Sequence, residues 1–358
     1  MIVDGYLSII EASNFLKISR PTLNARRKQL NLSELHDGNR TLLKKSDLLK
    51  LYAKENPCVP SLNLVATEVD PLDNVIVDDT TFDLRKINIV DAYGAISLIV
   101  AAAEVVESRK SLYLIVNGNR AMSQLCQIGF FKELQRRFEG RVFWNNDDLP
   151  DIEEGTSKIF LPVKYIAFRG QERQYLEEIL YPLLKKHGFN DEVIGYLGWI
   201  IGEIADNALT HSKGPCYILM GQFSQKVNFL EIAIGDTGKG IQKSLKENPK
   251  YAHLSDDDAF IKAFQSQVSS WSDDNPRGKG LSDMLSIAMG SGSLLRVDSK
   301  ELGIMFNFSN GQKELQFKSP TTSHGGTRFC WVLVNEIFGQ AGRADVDQFI
   351  TRQLGRVK

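Results

Sequence analysis

"GEIADNALTHS", Gly202 to Ser212, is the stretch whose reading decides the fold. Glu203, Asn207 and His211 stand four residues apart, a spacing that puts side chains on one side of a helix. Ile201, Ile204, Ala205 and Ala208 give that helix its apolar contacts. A Glu and an Asn so placed are usually a solvated edge, so the meaning of the segment depends on its C-terminal neighbours. "CYILMGQF" reads as a strand. In "FLEIAIGDTGKGI" the alternating Leu230, Ile232 and Ile234 mark another, running into Asp236-Thr237-Gly238-Lys239-Gly240. Further on, Gly278-Lys279-Gly280-Leu281 leads into a helix, and a last strand lies in "HGGTRFCWVLV". A short glycine motif is common by chance; the four pieces in this order are not.

In that order they resemble the GHKL superfamily of ATP-binding domains, the Bergerat fold shared by gyrase, sensor histidine kinases and anti-sigma-factor serine kinases. The resemblance spans residues 158–338. It implies an α/β sandwich that binds ATP and Mg2+. Asn207 corresponds to the family's Mg2+ ligand, an amide oxygen suited to a hard cation. Asp236 corresponds to the carboxylate that accepts from the adenine amino group, and Thr327 to the threonine near the base. Gly238 and Gly240 let backbone pass close to the base. By the same resemblance Gly278 and Gly280 let backbone N–H groups approach the phosphates beside a helix N-terminus, which favours anions, and Lys279 and Arg277 are candidates to meet the γ-phosphate. Glu203 stands where hydrolysing members keep a general base, and anti-sigma kinases carry a Glu there too. His211 reads as a helix-end residue.

Upstream of this region, residues 73–150 read strand, helix, strand, helix. "INIVDAYGAISLIVAAAEVVES" passes from an apolar strand into a long apolar helix, "SLYLIVNGN" is a buried strand, and "AMSQLCQIGFFKELQRRF" an amphipathic helix. This is similar to the STAS domain of anti-anti-sigma factors, where a strand ends in Asp-Ser-Ser-Gly at a helix start. Here the positions read Asp91, Ala92, Tyr93 and Gly94. Neither acceptor serine is present, which turns the expectation from phosphoacceptor to docking or dimer-coupling module.

The first 58 residues form a third unit, trailed by a linker over 59–72 that carries Pro60 and an acidic run. Ser8 and Glu11 are spaced as a helix capping box ahead of an apolar stripe. A second helix, "RPTLNARRKQ", presents Arg20, Thr22, Asn24, Arg26, Arg27 and Lys28. "HDGNRTLL" suits a hairpin that carries Arg40, and "KKSDLLKLYAKE" a closing helix. The order resembles the winged helix-turn-helix of excisionase and MerR-type regulators, which implies double-stranded DNA as partner, a basic helix in the major groove and the wing on phosphates. Residues 1–56 hold ten Lys and Arg against six Asp and Glu, a charge of +4 on a chain whose net charge is -1.

At 358 residues the chain is long enough for two or three domains. No apolar run approaches the roughly 20 residues of a membrane span, the start has no secretory pattern, and the four cysteines are scattered singly. These features lead to the expectation of a cytoplasmic protein with no membrane contact. The fold class expected is multidomain α/β (α+β), with residues 339–358 as a tail.

Three functions compete. A histidine kinase needs an acceptor His in a dimerisation helix, and His187 lacks that surrounding pattern. A serine/threonine kinase of the anti-sigma type, acting on a separate partner, fits the ATP domain. The preferred expectation is an ATP-hydrolysing switch in which residues 241–277 close over the nucleotide and alter a DNA-binding head, in a homodimer. A nucleotide-sensing binder without turnover is the third.

Overall fold

The computed structural model describes residues 5–58, 60–66, 72–145, 149, 161–186, 188–212, 216–220, 229–269, 280–309, 314–317, 326–334 and 343–354. They form a mixed α/β fold with four sheets.

The N-terminal elements are β1 (Tyr6–Ser8), α1 (Ile9–Leu16), α2 (Arg20–Gln29), β2 (Glu34–Asp37), β3 (Arg40–Lys44) and α3 (Lys45–Glu55). Helix α1 starts at the expected capping box. Ser8 N–H donates to Glu11 Oε2 at 2.8 Å, and Glu11 N–H donates back to Ser8 Oγ at 3.3 Å. The β2–β3 hairpin turns at Gly38 and Asn39, with Asp37 opposite Arg40 and Gly38 at φ +59°. This head is built onto the next unit. Tyr113 and Ile115 share one apolar cluster with Leu23, Leu48 and Leu49. Lys45, only 5% exposed, donates to Asp78 at 3.1 Å and to Thr80 Oγ1 at 2.7 Å.

The middle elements are β4 (Leu62–Leu64), α4 (Leu72–Val75), β5 (Ile76–Asp78), β6 (Thr81–Asp83), β7 (Ile87–Val90), α5 (Ala92–Glu107), β8 (Leu112–Ile115), α6 (Arg120–Gln127), α7 (Phe130–Arg137) and β9 (Val142–Trp144). Strands β6, β8 and β9 are parallel in a sheet of order β5-β6-β8-β9. Two features differ from the sequence expectation. The proposed linker contributes β4, which pairs in parallel with β7, and the two form a separate sheet. The helix expected from residue 121 is broken at Gly129, which sits at φ +76° between α6 and α7.

The C-terminal elements are β10 (Leu161–Ile166), α8 (Gln171–Tyr175), α9 (Tyr181–Lys186), α10 (Asp191–Asn207), β11 (Cys216–Met220), β12 (Phe229–Asp236), α11 (Ile241–Lys246), α12 (Asp256–Lys262), α13 (Gly280–Gly290), β13 (Leu294–Ser299), β14 (Leu302–Asn307), β15 (Glu314–Phe317), β16 (Thr327–Val334) and α14 (Arg343–Leu354). The seven strands pair antiparallel in the order β10-β11-β12-β16-β13-β14-β15. Alternation sorts them by face. Leu230, Ile232 and Ile234 of β12 pack into one cluster with α10, α13 and α14, while Ala233 packs on α5. The segment expected as a tail is part of this core, since α14 contributes Val346, Phe349 and Ile350.

Helix α5 lies between the two larger sheets. Phe82, Leu112 and Leu114 of one sheet and Tyr217 and Ala233 of the other join it in a single cluster. A helix apolar all round is a buried one, and nearly every residue from Ala92 to Ala103 is inaccessible. Among the described residues, no helix is long and apolar enough to cross a membrane. Truncating the fully buried Ile99 to Ala should lower stability by about 2–5 kcal/mol. The amides of β8 and β12 should then exchange faster together in a hydrogen-exchange measurement; loss of protection confined to one sheet would show two separate cores.

Candidate functional site

One rung at the end of the long sheet gathers two of the expected site residues, Asp236 and Thr327, with Ser299. The register sets Gly235 opposite Arg328, Asp298 opposite Arg328, and Ser299 opposite Thr327. Asp236, Thr327 and Ser299 therefore succeed one another across β12, β16 and β13, on the face that carries the helices. Asp236 and Thr327 are each 6% exposed. Their closeness needs Gly326, at φ +75°, because a Cβ there would fall 1.7 Å from the Asp236 carbonyl oxygen. This is the glycine of the Gly-Thr-x-Phe pattern that opens the last strand in "HGGTRF".

The loop after Asp236 is held by hydrogen bonds. Gly238 N–H donates to Asp236 Oδ1 at 2.6 Å. At its far end, Ile241 N–H donates to Ser299 Oγ at 2.8 Å, Ser299 Oγ donates to Gln242 Oε1 at 2.6 Å, and Gln242 Nε2 donates to the Ser299 carbonyl at 3.1 Å. Gly240 lies under this clasp. Neither Ser299 nor Gln242 stands out in the sequence, because only the pairing of distant strands brings them to the loop.

Burial pushes the Asp236 carboxyl up to about 6, against the opposing pull of backbone donors from Gly238 and Thr327 and of the Lys300 charge. This is a buried acceptor with few donors, suited to a ligand N–H.

Glu203 and Asn207 share one face of α10 as expected, and Asn207 Nδ2 donates to Glu203 Oε1 at 3.5 Å. With the amide nitrogen so used, its oxygen is the atom left for a cation. Residues Ala208–Ser212 form a π-helical turn. Arg169 braces this end by pairing with Asp206 at 2.7 Å and donating to Thr210 at 2.5 Å. Gly280 of α13 lies directly against Glu203, where a Cβ would lie 2.4 Å from Oε1. Gly278 and Lys279 lie outside the described residues. Farther along the same helix pair, a cavity of about 350 Å3 is lined by Tyr196, Trp199, Asp283 and Ile287, away from the Asp236 rung.

Part of the expected closing segment is packed on the main core. Phe260, Ile261 and Phe264 are built into the main core with Phe306 and Phe349, and Ser266 N–H donates to Asp347 of α14 at 2.8 Å. Residues 270–277 lie outside the described residues.

In the head, Arg20, Asn24 and Lys28 recur along the exposed side of α2, and Arg40 is exposed on the hairpin. The other candidates are engaged internally. Arg26 pairs with Glu55 and Arg27 with Glu34 at 3.2 Å, while the Thr22 hydroxyl bonds the capping Ser19 at 2.7 Å. In the middle unit Tyr93 and Ser97 are each 1% exposed, so neither is open to modification.

Asp236 carries a testable sign. Its raised value means that the folded chain binds this proton more readily than the unfolded chain. That stabilisation is complete below about pH 4 and is lost as pH rises through 6. Replacing Asp236 by Asn should therefore stabilise the protein at pH 8 by up to about 3 kcal/mol and give no gain at pH 4, read from urea midpoints at the two pH values.

Compared with protein-family models, curated proteins and solved structures, the chain matches none, so the geometry of these residues carries the functional reading.

Proposed function

We propose that this chain is an ATP-binding and ATP-hydrolysing switch of the GHKL type, coupled to a DNA-binding winged helix-turn-helix head through a STAS-like middle unit. The observation that carries the reading is the buried rung of Asp236 and Thr327. It lies on the sheet face that also carries α10 with its Glu203–Asn207 pair. From the end of that helix the chain reaches Cys216 in a few residues, and Cys216 stands opposite Asp236. In this reading Asp236 marks the base end and the Glu203–Asn207 pair the phosphate end of one site.

The residues present suit Mg-ATP. Asp236 would accept from the adenine amino group, with Thr327 beside it and Gly238 and Gly240 at the base. Asn207 would hold Mg2+, with Gly278, Lys279 and Gly280 serving the phosphates. Mg2+ supplies neutralisation of phosphate charge when bound. Glu203 is the proton acceptor for an attacking water. Held near Gly280 and Asn207, it is fixed by its neighbours before any ligand arrives, which favours a preorganised base over a mobile one.

For the head, the supporting observation is that Arg20, Asn24 and Lys28 form an exposed row on the second helix with Arg40 on the hairpin. Such a row suits a major groove, with the hairpin on phosphates. A homodimer reading paired half-sites belongs to the same proposal.

Two experiments test the nucleotide site. Asn207→Ala should abolish Mg-ATP binding in calorimetry, and unchanged affinity would sink the site assignment. With γ-labelled ATP, Glu203→Ala should lose phosphate release by at least about a hundredfold; label transferred to protein would point to a kinase instead. Separately, Arg20→Ala with Lys28→Ala should weaken duplex binding and flatten its log affinity against log salt slope by roughly two units. Arg26→Ala should do less to DNA and more to head stability, because its charge is already paired.

A further inference from the structure

The face of the long sheet opposite the helices would ordinarily be apolar where it is covered. Here the N-terminal turn of α5 meets it through buried polar groups. Tyr93 is 1% exposed, and Arg296, Asp298 and Cys330 are fully inaccessible. The Tyr93 hydroxyl donates to Asp298 Oδ2 at 2.6 Å, and Arg296 Nε donates to the same oxygen at 2.8 Å. The Arg296 guanidinium lies 4.0 Å from the Tyr93 ring centroid, and its Nη1 donates to the Ala66 carbonyl at 3.0 Å. Tyr93 N–H and Cys330 Sγ both donate to Glu231 Oε1, at 3.1 and 3.3 Å. Asp91 caps the helix by accepting from Gly94 and Ala66 N–H groups. Burial, and then the Glu231 charge, push its carboxyl well above the usual range.

Such a seam is costly. A buried ion pair commonly does no better than apolar packing of the same volume, but it is directional and tolerates few arrangements. Its place in the sheet matters. Asp298 directly precedes Ser299, which clasps the Gly240–Gln242 loop, and Arg328 comes directly after Thr327. Successive residues of a strand face opposite ways, so the rung gripped by Tyr93 backs the rung that bears Asp236, Thr327 and Ser299.

We infer that Tyr93 is a positioning residue for the nucleotide site: through Asp298 it sets Ser299 and the loop beneath the base, so that the middle unit and the bound nucleotide constrain each other. The inference rests on the proposed ATP site. It also accounts for a tyrosine at the position where the STAS pattern has a serine, since only a long side chain with a terminal hydroxyl spans from α5 to β13.

Tyr93→Phe keeps the ring and its stacking on Arg296 and removes one hydroxyl. With the non-hydrolysable analogue AMP-PNP and Mg2+, calorimetry well below the melting midpoint should show affinity about five- to tenfold weaker than wild type. Ile99→Ala, a destabilising change elsewhere on the same helix, should leave affinity unchanged. Tyr93→Phe combined with Ser299→Ala should lose less than the product of the two single effects. Equal affinity in Tyr93→Phe, or an equal loss in Ile99→Ala, overturns the inference and leaves the site reading standing; no binding by wild type defeats the site itself. Should Tyr93→Phe not fold, the reciprocal effect is read on wild type. Saturating AMP-PNP should slow amide exchange at residues 92–96, and unchanged exchange there would overturn the inference.

Discussion

Helix α5 is the element on which the rest depends. Two sheets lie against it, and neither could remain covered if it were withdrawn, because its residues complete the apolar cluster of both. That position excludes polar side chains along most of its length, and the sequence supplies Ala, Ile, Leu and Val almost without interruption from Ala95 to Ala103. Its first turn is different. Four N–H groups there have no partner within the helix, and in so buried a place they are met by protein. Asp91 takes one and Glu231 of the neighbouring sheet takes another. The joint between the two units is therefore polar where the helix begins and apolar where it continues. The polar end also fixes the angle of entry, since a hydrogen bond is directional and dispersion is not.

The same strands that receive α5 on one face bear the candidate site on the other. Antiparallel pairing brings the end of β12, the start of β16 and the end of β13 to one edge, and alternation assigns neighbouring residues to opposite faces. A buried carboxylate at such an edge is destabilising when ionised, and burial raises the Asp236 carboxyl for that reason. Proteins accept this kind of tension where a ligand relieves it. Toward the other end of the same strands, Phe260, Phe264, Phe306, Phe308 and Phe349 are linked by ring contacts.

How much is legible in the sequence depends on the range of each signal. The capping box at Ser8, the two-residue turn at Gly38 and Asn39, the Glu203–Asn207 spacing and the alternation in β12 are patterns within a few residues, and each forms as read. The departures mostly involve distant partners. Strand β4 reads as linker because three residues make no periodic signal, and only pairing with β7 makes them a strand. Arg26 and Arg27 read as free cations because Glu55 and Glu34 are brought to them by the fold. The π turn after Asn207 has no local signature, and the burial of α14 arises from apolar residues that look equally suited to a solvent-facing tail. At the site, the residues with a motif are legible. Ser299 and Gln242 are not, because they act by holding a loop whose motif lies elsewhere.

The head is not a bead on a flexible string. Lys45, the first residue of α3, is drawn into the middle unit by Asp78 and Thr80 and lies 4.7 Å from the Tyr113 ring centroid. Arg85, paired with the buried Asp83, donates to the Ala53 carbonyl of α3 at 2.9 Å. Both ties end on the four-stranded sheet whose other side is α5. Head, sheet, helix and long sheet thus form a continuous stack, with the Lys45–Asp78 pair and the Arg85–Ala53 hydrogen bond at the first junction and the Tyr93 seam at the last. A change at the Asp236 edge has a short packed route to the head, and transmission along it requires only that one of these junctions have two arrangements of similar free energy. The polar seam is the better candidate of the two, because a helix start held by hydrogen bonds can exchange partners in discrete steps, whereas the apolar length of α5 can only slide.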